Sequence, residues 1–409
     1  MSPRVEASAE SESESESEGE RMRIIVIGAG AVGAACALAL TEAGAEVIVL
    51  DRTGVAGETS SRCEGNILVS DKEPGAEALM AIEANRAWRQ LAARLDADRV
   101  SGQPATEFEA KGGIVVAFAG GAAALEEFAA GQRGIGIGIR AEVLDDRALR
   151  AAEPHLAADV ALGVHYPDDA QVQPSLATQA MLARARHLGA RLRICEVTGG
   201  IVDAGRVRGV QTTAGRMDAD VVVNCAGPWA GDAAALFGSA LDIRPRRGTI
   251  LVTAPMPQRV FHKVYDADYV GAVGSADAAL QTSTVVESTP GGTVLIGSSR
   301  ERVGFSEDGL LAPLAEVAAK ATRLFPFLRD TMLLRTYFGF RPYAPDHLPA
   351  IGADARIAGL FHAAGHEGAG IGLAPTTGAL IAHAVLGTPA PLDPTPFLPS
   401  RSTLQGVLV

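Results

Sequence analysis

The sequence predicts an α/β fold, with parallel strands and helices at both ends of the chain and a more antiparallel sheet between them. Three observations carry this expectation. Residues 22–51 run through a strand, a glycine turn, a helix and a second strand. Residues 361–386 return to a strand, a glycine-rich turn and a helix. Between about 242 and 296 the helical periodicity gives way to short β-branched runs separated by turn signals.

The first element is 23–27, a short apolar run, followed directly by Gly28-Ala29-Gly30-Ala31-Val32-Gly33. The alanine-rich stretch 34–43 is a helix, and Gly44 can take the left-handed conformation that stops it. Residues 47–50 form the second strand, closed by Asp51. Each part suits a dinucleotide. Gly28 permits a tight turn, Gly30 lets the backbone approach a pyrophosphate, and Gly33 lets helix pack on strand. The helix start points amides at the phosphates, and Asp51 stands where a ribose hydroxyl would be bound.

The polar segment 52–71 follows, then a helix over 75–95, a strand over 112–118, and helices over 120–132 and 145–153. Residues 173–189 form an amphipathic helix with Pro174 near its start and Gly189 after its end. Strands are expected over 191–197, 200–210 and 220–226. Beyond them, 248–253, 285–287 and 293–296 read as strands, with the turn 289–292 joining the last two as a hairpin. Helices over 310–325 and 373–386 complete the set.

Composition narrows the function classes. The chain of 409 residues is longer than one ordinary domain. Its net charge of −12 argues against nucleic acid as the main partner, even though the acidic stretch 1–21 supplies a disproportionate share of it. That stretch is low in complexity and nearly free of apolar residues, so it is expected to be disordered, and it lacks the apolar segment of a signal peptide. No apolar run reads as a membrane span of about 20 residues. Cys36, Cys63, Cys195 and Cys225 are far apart and form no C-x-x-C pair. That suits a reducing cytoplasm, with neither a disulfide framework nor a metal site.

Four further stretches carry chemistry. The loop 58–66 gathers Thr59, Ser60, Ser61, Gly65 and Asn66, donors that suit a cofactor pyrophosphate and ring; the alternative is an ordinary polar surface loop. Cys63 within it reads as a small packing residue before it reads as a reactive thiol. The strand 220–226 ends in Ala226-Gly227-Pro228, where backbone can approach an adenosine. In 339–352, Arg341 and Asp346 project from a path fixed by Pro and Gly. Arg341 can clamp a carboxylate, or be a structural arginine paired with an acid. Finally Gly365-His366-Glu367-Gly368-Ala369-Gly370-Ile371-Gly372-Leu373 opens the last helix, whose positive end would stabilise charge on a flat ligand. His366 can touch such a ligand, although a lone histidine is more often structural.

These stretches together resemble the group of FAD-dependent D-amino-acid oxidase, glycine oxidase and sarcosine oxidase. The carriers are GAGAVG with Asp51, the TSS loop, VVVNCAGPW, the Arg244–Gly248 turn RPRRG, GFRPYAPDHLPAIG and GHEGAGIGLAPTTG, in the group's order from Met22 to about Leu386. Residues 65–75 and the GHEG form are similar to opine oxidase, D-hydroxyproline dehydrogenase and hydrogen cyanide synthase flavin subunits. The resemblance implies a Rossmann-like FAD-binding domain (22–103, 141–238 and 337–409) interrupted by a substrate-binding domain with a mixed or antiparallel sheet (104–140 and 239–336).

It also implies where FAD lies. The pyrophosphate falls at Gly28–Gly33, a ribose at Asp51, and adenosine or pyrophosphate near Arg52 and Thr59–Ser61. Val197 lies near adenine, and Gly365–Leu373 line the isoalloxazine. Phe340 and Arg341 occupy the neighbourhood where some sarcosine oxidases carry a flavin-linking cysteine, so FAD is expected to be non-covalent. Arg341 and His366 are the expected catalytic residues. The group's active-site tyrosine is not evident: Thr284–Ser288 stands in its place, with Tyr265, Tyr269 and Tyr343 as weaker candidates.

The implied activity is oxidation of the CH–NH bond of an amino acid or N-substituted amino acid to an imine. The substrate is small and carries a carboxylate. A flavin subunit of a hetero-oligomeric dehydrogenase, inactive without an electron-transfer partner, is the alternative, and homo-oligomers are left open. A nucleotide-binding regulator without turnover is disfavoured by the Arg341 region.

Overall fold

The structure is a computed structural model and describes residues 21–134, 136, 138–268 and 277–406. Residues 1–20, most of the stretch expected to be disordered, and Tyr269 lie outside the described residues.

A six-stranded sheet forms around Arg23–Ile27. This strand pairs in parallel with Glu46–Asp51 on one side and Val221–Asn224 on the other. Arg191–Ile194 extends the first edge, Leu360–Ala364 the second, and Ala350–Ala353 closes it antiparallel. The central strand is apolar on both faces because both are covered. Ile24 and Val26 point into a core shared with helices Ala31–Glu42, Pro174–His187 and Gly370–Leu386. Ile25 and Ile27 point into a second core. That core is roofed by the antiparallel strands Val197–Asp203, Arg206–Thr212 and Gly215–Asp218.

An eight-stranded sheet stands beside it. Its order is Leu333–Tyr343, Arg244–Thr253, Val294–Arg300, Gln281–Ser288, Lys263–Asp266, Gly113–Phe118, Val160–Tyr166 and Glu142–Leu144. Only the Lys263–Asp266 and Gly113–Phe118 pair is parallel. One face is sealed by helix Leu311–Leu324, with Val317, Ala321 and Leu324 packed on Val264, Val286 and Ile296. On the opposite face Val115, Val164, Tyr166, Tyr265 and Val285 join the first core, while Gly248 and Ile250 line the cleft.

Strand pairing shifts the expected domain boundaries. Residues 160–166 pair with 113–118 and carry 142–144 on their other edge, and 337–343 continue a strand paired to Arg244–Thr253. These pieces were assigned to the nucleotide side, and backbone pairing across long loops puts them in the eight-stranded sheet. A second correction concerns the last helix. Residues Glu367–Leu386 are apolar and long enough to cross a membrane by composition alone, contrary to expectation. More than half of that stretch is buried against the rest of the protein, with Leu373, Leu380 and Ile381 in the first core.

Candidate active site

A cleft of about 610 Å³ runs between the two sheets, and both ends of the chain supply its walls. Its nucleotide end is built by the turn after Arg23–Ile27. Gly28 has φ +109°, and a Cβ there would collide with Cys225 O, so the turn closes only around glycine. Gly28 N donates to Leu50 O at 2.7 Å. The Asp51 carboxylate stitches this end together. Its Oδ1 accepts from Thr53 N and Gly54 N at 2.8 Å and Thr53 Oγ1 at 3.1 Å, while Oδ2 accepts only from Ala29 N at 2.8 Å and keeps a lone pair for a further donor.

Ser60 Oγ accepts from Ala31 N at 2.9 Å, at the start of helix Ala31–Glu42. A Cβ on Gly30 would come within 3.1 Å of that hydroxyl, so the cradle at the helix start is as wide as glycine leaves it. Arg52 lies over the Trp229 ring at 4.2 Å, and Trp229 stacks on Phe305 at 5.1 Å. Val197, Ala226 and Gly227 complete the wall at this end.

At the far end, the 3-10 turn Thr59–Arg62 touches the long strand Leu333–Tyr343: Thr59 Oγ1 donates to Phe340 O at 2.7 Å. Gly65 has φ +85° and lies so close to Val172 O that no Cβ fits. Arg341 projects from Leu333–Tyr343 and donates from Nη1 to Ser299 O at 2.8 Å. It crosses Gly248 of the neighbouring strand, where a Cβ would sit 2.7 Å from Arg341 Cζ. Gly368 faces it from the last turn.

Of the expected site residues, Gly28, Gly30, Ala31, Val32, Asp51, Arg52, Thr59, Ser60, Gly65, Asn66, Val197, Ala226, Gly227, Arg341, His366, Glu367, Gly368, Gly370 and Ile371 line this one cleft. Ala29, Gly33, Gly365 and Leu373 stand behind it, whereas Ser61 is exposed outside it and donates to Glu58 O. Gly33 packs against Gly28 O, and Leu373 is in the core.

His366 is 3% exposed, and its Nε2 is 2.9 Å from Thr377 Oγ1. Burial pushes its pKa down to about 3, so the ring is neutral. It fastens the turn to the last helix. Cys63 is equally quiet: burial pushes its thiol up to about 11. Tyr265 is buried and donates to Asp169 Oδ2 at 3.3 Å, and Tyr343 lies against His347.

Several residues gather here that sequence reasoning did not single out. Arg246 is fully buried and reaches Glu367 Oε2 at 3.2 Å, while Glu367 Oε1 pairs with His347 Nδ1 at 2.8 Å. Glu367 holds φ +48°, a strained conformation for a non-glycine residue. This ionic chain anchors the last turn to the eight-stranded sheet. Lys263 and Glu287 form a buried ion pair, and burial lowers Lys263 to about 7. Tyr337 sits opposite Ile250, and Glu64 lines the cleft. Arg246 had a signal in the RPRRG run. Lys263, Glu287 and Tyr337 sit in unremarkable strand sequence.

Residues 23–384 match the family described as FAD dependent oxidoreductase. The chain belongs to this family. Hydrogen cyanide synthase subunit HcnC of Pseudomonas aeruginosa is 31% identical over 261 residues, 63% of this chain and 59% of the relative. Glycine oxidase of Pseudomonas putida is 30% identical over 205 residues, 50% of this chain and 52% of the relative. The matches thus span little more than half the length of these relatives. The crystal structure of glycine oxidase from Geobacillus kaustophilus superposes with a TM-score of 0.83 at 25% identity, covering 93% of this chain and 99% of that one.

FAD is the family's cofactor, and the cleft fits it on its own geometry. The glycine cradle and Asp51 suit the pyrophosphate and ribose. The long cavity leads from there to the Gly368–Ile371 turn, where a helix N-terminus faces the cleft.

Proposed function

We propose that this protein oxidises the CH–NH bond of an amino acid or N-substituted amino acid to an imine. The observation that carries the reading is Arg341: a guanidinium on the cleft wall, fixed by Ser299 O and by the glycine notch at Gly248. Its fork suits a substrate carboxylate. Held there, the substrate is oriented over the floor formed by Gly368 and Ile371. FAD, bound without a covalent link, supplies the two-electron oxidising chemistry. The chain supplies position and charge: Arg341 orients, His366 and the Arg246–Glu367–His347 chain hold the turn, and the first helix points its amides at the phosphates. The four free thiols support a reducing, cytoplasmic setting.

Anaerobic mixing of the FAD-loaded protein with D-amino acids, N-alkyl glycines, D-hydroxyproline and opines tests this. One class should bleach the flavin band. If none does, the reading is wrong. Arg341→Ala should retain FAD and lose at least 100-fold in kcat/KM for the bleaching substrate, about 2.7 kcal/mol. Unchanged turnover would remove Arg341 from the site.

A second reading, a flavin subunit that turns over only with a partner, is favoured by the similarity to a protein named as a subunit. It requires a single chain that bleaches with substrate but stays reduced when oxygen is readmitted.

A further inference from the structure

Two glycines on neighbouring strands of the eight-stranded sheet each make room for one charged tip. At Gly248 the tip is the Arg341 guanidinium. At Gly297 it is the carboxylate of Glu64, whose Cδ lies 2.8 Å from where a Cβ would be. Gly297 abuts Ile250, two residues along the strand from Gly248 on the same face, so the notches are about 7 Å apart along the sheet. Glu64 comes from the opposite wall, in the loop after the 3-10 turn Thr59–Arg62. Both tips line the same cleft.

Glu64 is 6% exposed. Its Oε1 has no hydrogen-bond partner among the described residues, and its Oε2 has only Asn66 Nδ2 at 3.5 Å. Glu64 is the strongest charge felt by Lys263, but Lys263 forms its ion pair with Glu287 on the adjacent strand and gives Glu64 no hydrogen bond. A buried carboxylate oxygen without a donor is costly, and such a group in a cleft is poised for one that arrives with a ligand.

We infer that Glu64 is the residue that recognises the substrate's nitrogen. The Glu64 carboxylate, turning out of the Gly297 notch, accepts an N–H from the cationic amine, while Arg341 takes the carboxylate. An α-amino acid zwitterion with a hydrogen bond of about 2.8 Å at each end bridges a span of this order. The pair selects ligands carrying a carboxylate and an N–H on one carbon. Amine-free carboxylates satisfy only Arg341 and leave Glu64 buried and unpaired, which is how a site rejects an analogue lacking a hydrogen-bonding group. This inference rests on the role given to Arg341 above.

Calorimetric titration of the FAD-loaded protein with matched pairs tests it: glycine against acetate, and D-proline against cyclopentanecarboxylate. Wild type should bind at least one amino acid tenfold or more tighter than its amine-free partner. Glu64→Gln should weaken that amino acid at least tenfold, leave the carboxylate within about twofold, and so erase the preference. Arg341→Ala should weaken both. A preference that survives Glu64→Gln overturns the inference while leaving the Arg341 reading intact. Carboxylate binding that survives Arg341→Ala overturns the underlying reading instead. A wild type with no preference for the amine overturns the assignment of Glu64 outright. Thermal melting of Glu64→Gln separates a structural role, which would move the melting temperature without moving the ratio.

Discussion

Gly248 has a hydrogen where Arg341 needs space, and that single atom decides the geometry of the proposed carboxylate site. A methyl group there meets Arg341 Cζ at 2.7 Å and Ser299 O at 2.7 Å. Gly248→Ala should therefore displace the guanidinium and raise KM for the bleaching substrate by about tenfold or more, with FAD content unchanged. Steady-state kinetics beside the flavin absorbance ratio would check it, and an unchanged KM would refute the notch. His366 makes a different prediction. Its neutral ring does not take up a proton until about pH 3, whereas the unfolded chain's histidine does so near 6.5. Below pH 6.5 the unfolded state binds the extra proton, so stability falls with pH, by about 2 kcal/mol between pH 6.5 and 5. Asp169, raised by burial to about 7, acts in the opposite sense over the same range. The test is therefore the difference in urea midpoints between wild type and His366→Gln, which should shrink as pH falls from 7 to 5. These residue-level features were partly legible. Arg341 and His366 stood out by type and neighbourhood, but a sequence cannot show that His366 is sealed against Thr377.

Helix Gly370–Leu386 joins both functions of the fold, since its first turn faces the cleft and its body fills the core. Trp88 Nε1 donates to Ile371 O at 2.8 Å and pins that first turn. Further along, Gly378 packs directly on the first helix: a Cβ would fall 2.6 Å from Ala35 O. Gly378→Val should force these helices apart and destabilise the protein by about 3 kcal/mol. A denaturant midpoint within 0.5 kcal/mol of wild type would refute the close approach. Elements with a local signal were read closely. The helix at Pro174–His187 has its proline and glycine punctuation, and the 289–292 turn carries its own glycines. The strands Glu142–Leu144, Val160–Tyr166 and Lys263–Asp266 were missed. They are short or mixed in polarity, and only distant partners make them strands.

At the scale of the whole molecule, the cleft proposed to hold FAD lies between two sheets. FAD at 100 times its Kd should stabilise the protein by about 2.7 kcal/mol, and its removal should reverse this. Because the far end of the cleft draws on both sheets, ADP-ribose, which lacks the flavin, should bind more weakly and stabilise less at equal concentration. Thermal melting across both ligand series checks this, and equal shifts would place the flavin outside the cleft. By itself the sequence determined the strand–turn–helix–strand unit that carries Gly28, Gly30, Gly33 and Asp51, because its signals are local. It also determined the nature of the last turn, whose glycines open a helix. Tertiary structure alone decided which side chains share the cleft. Arg341 and Glu64 are 277 positions apart in sequence, and nothing local links them. They line one cleft because strand pairing sets Gly248 and Gly297 on the same face of the sheet, with room for a charge at each.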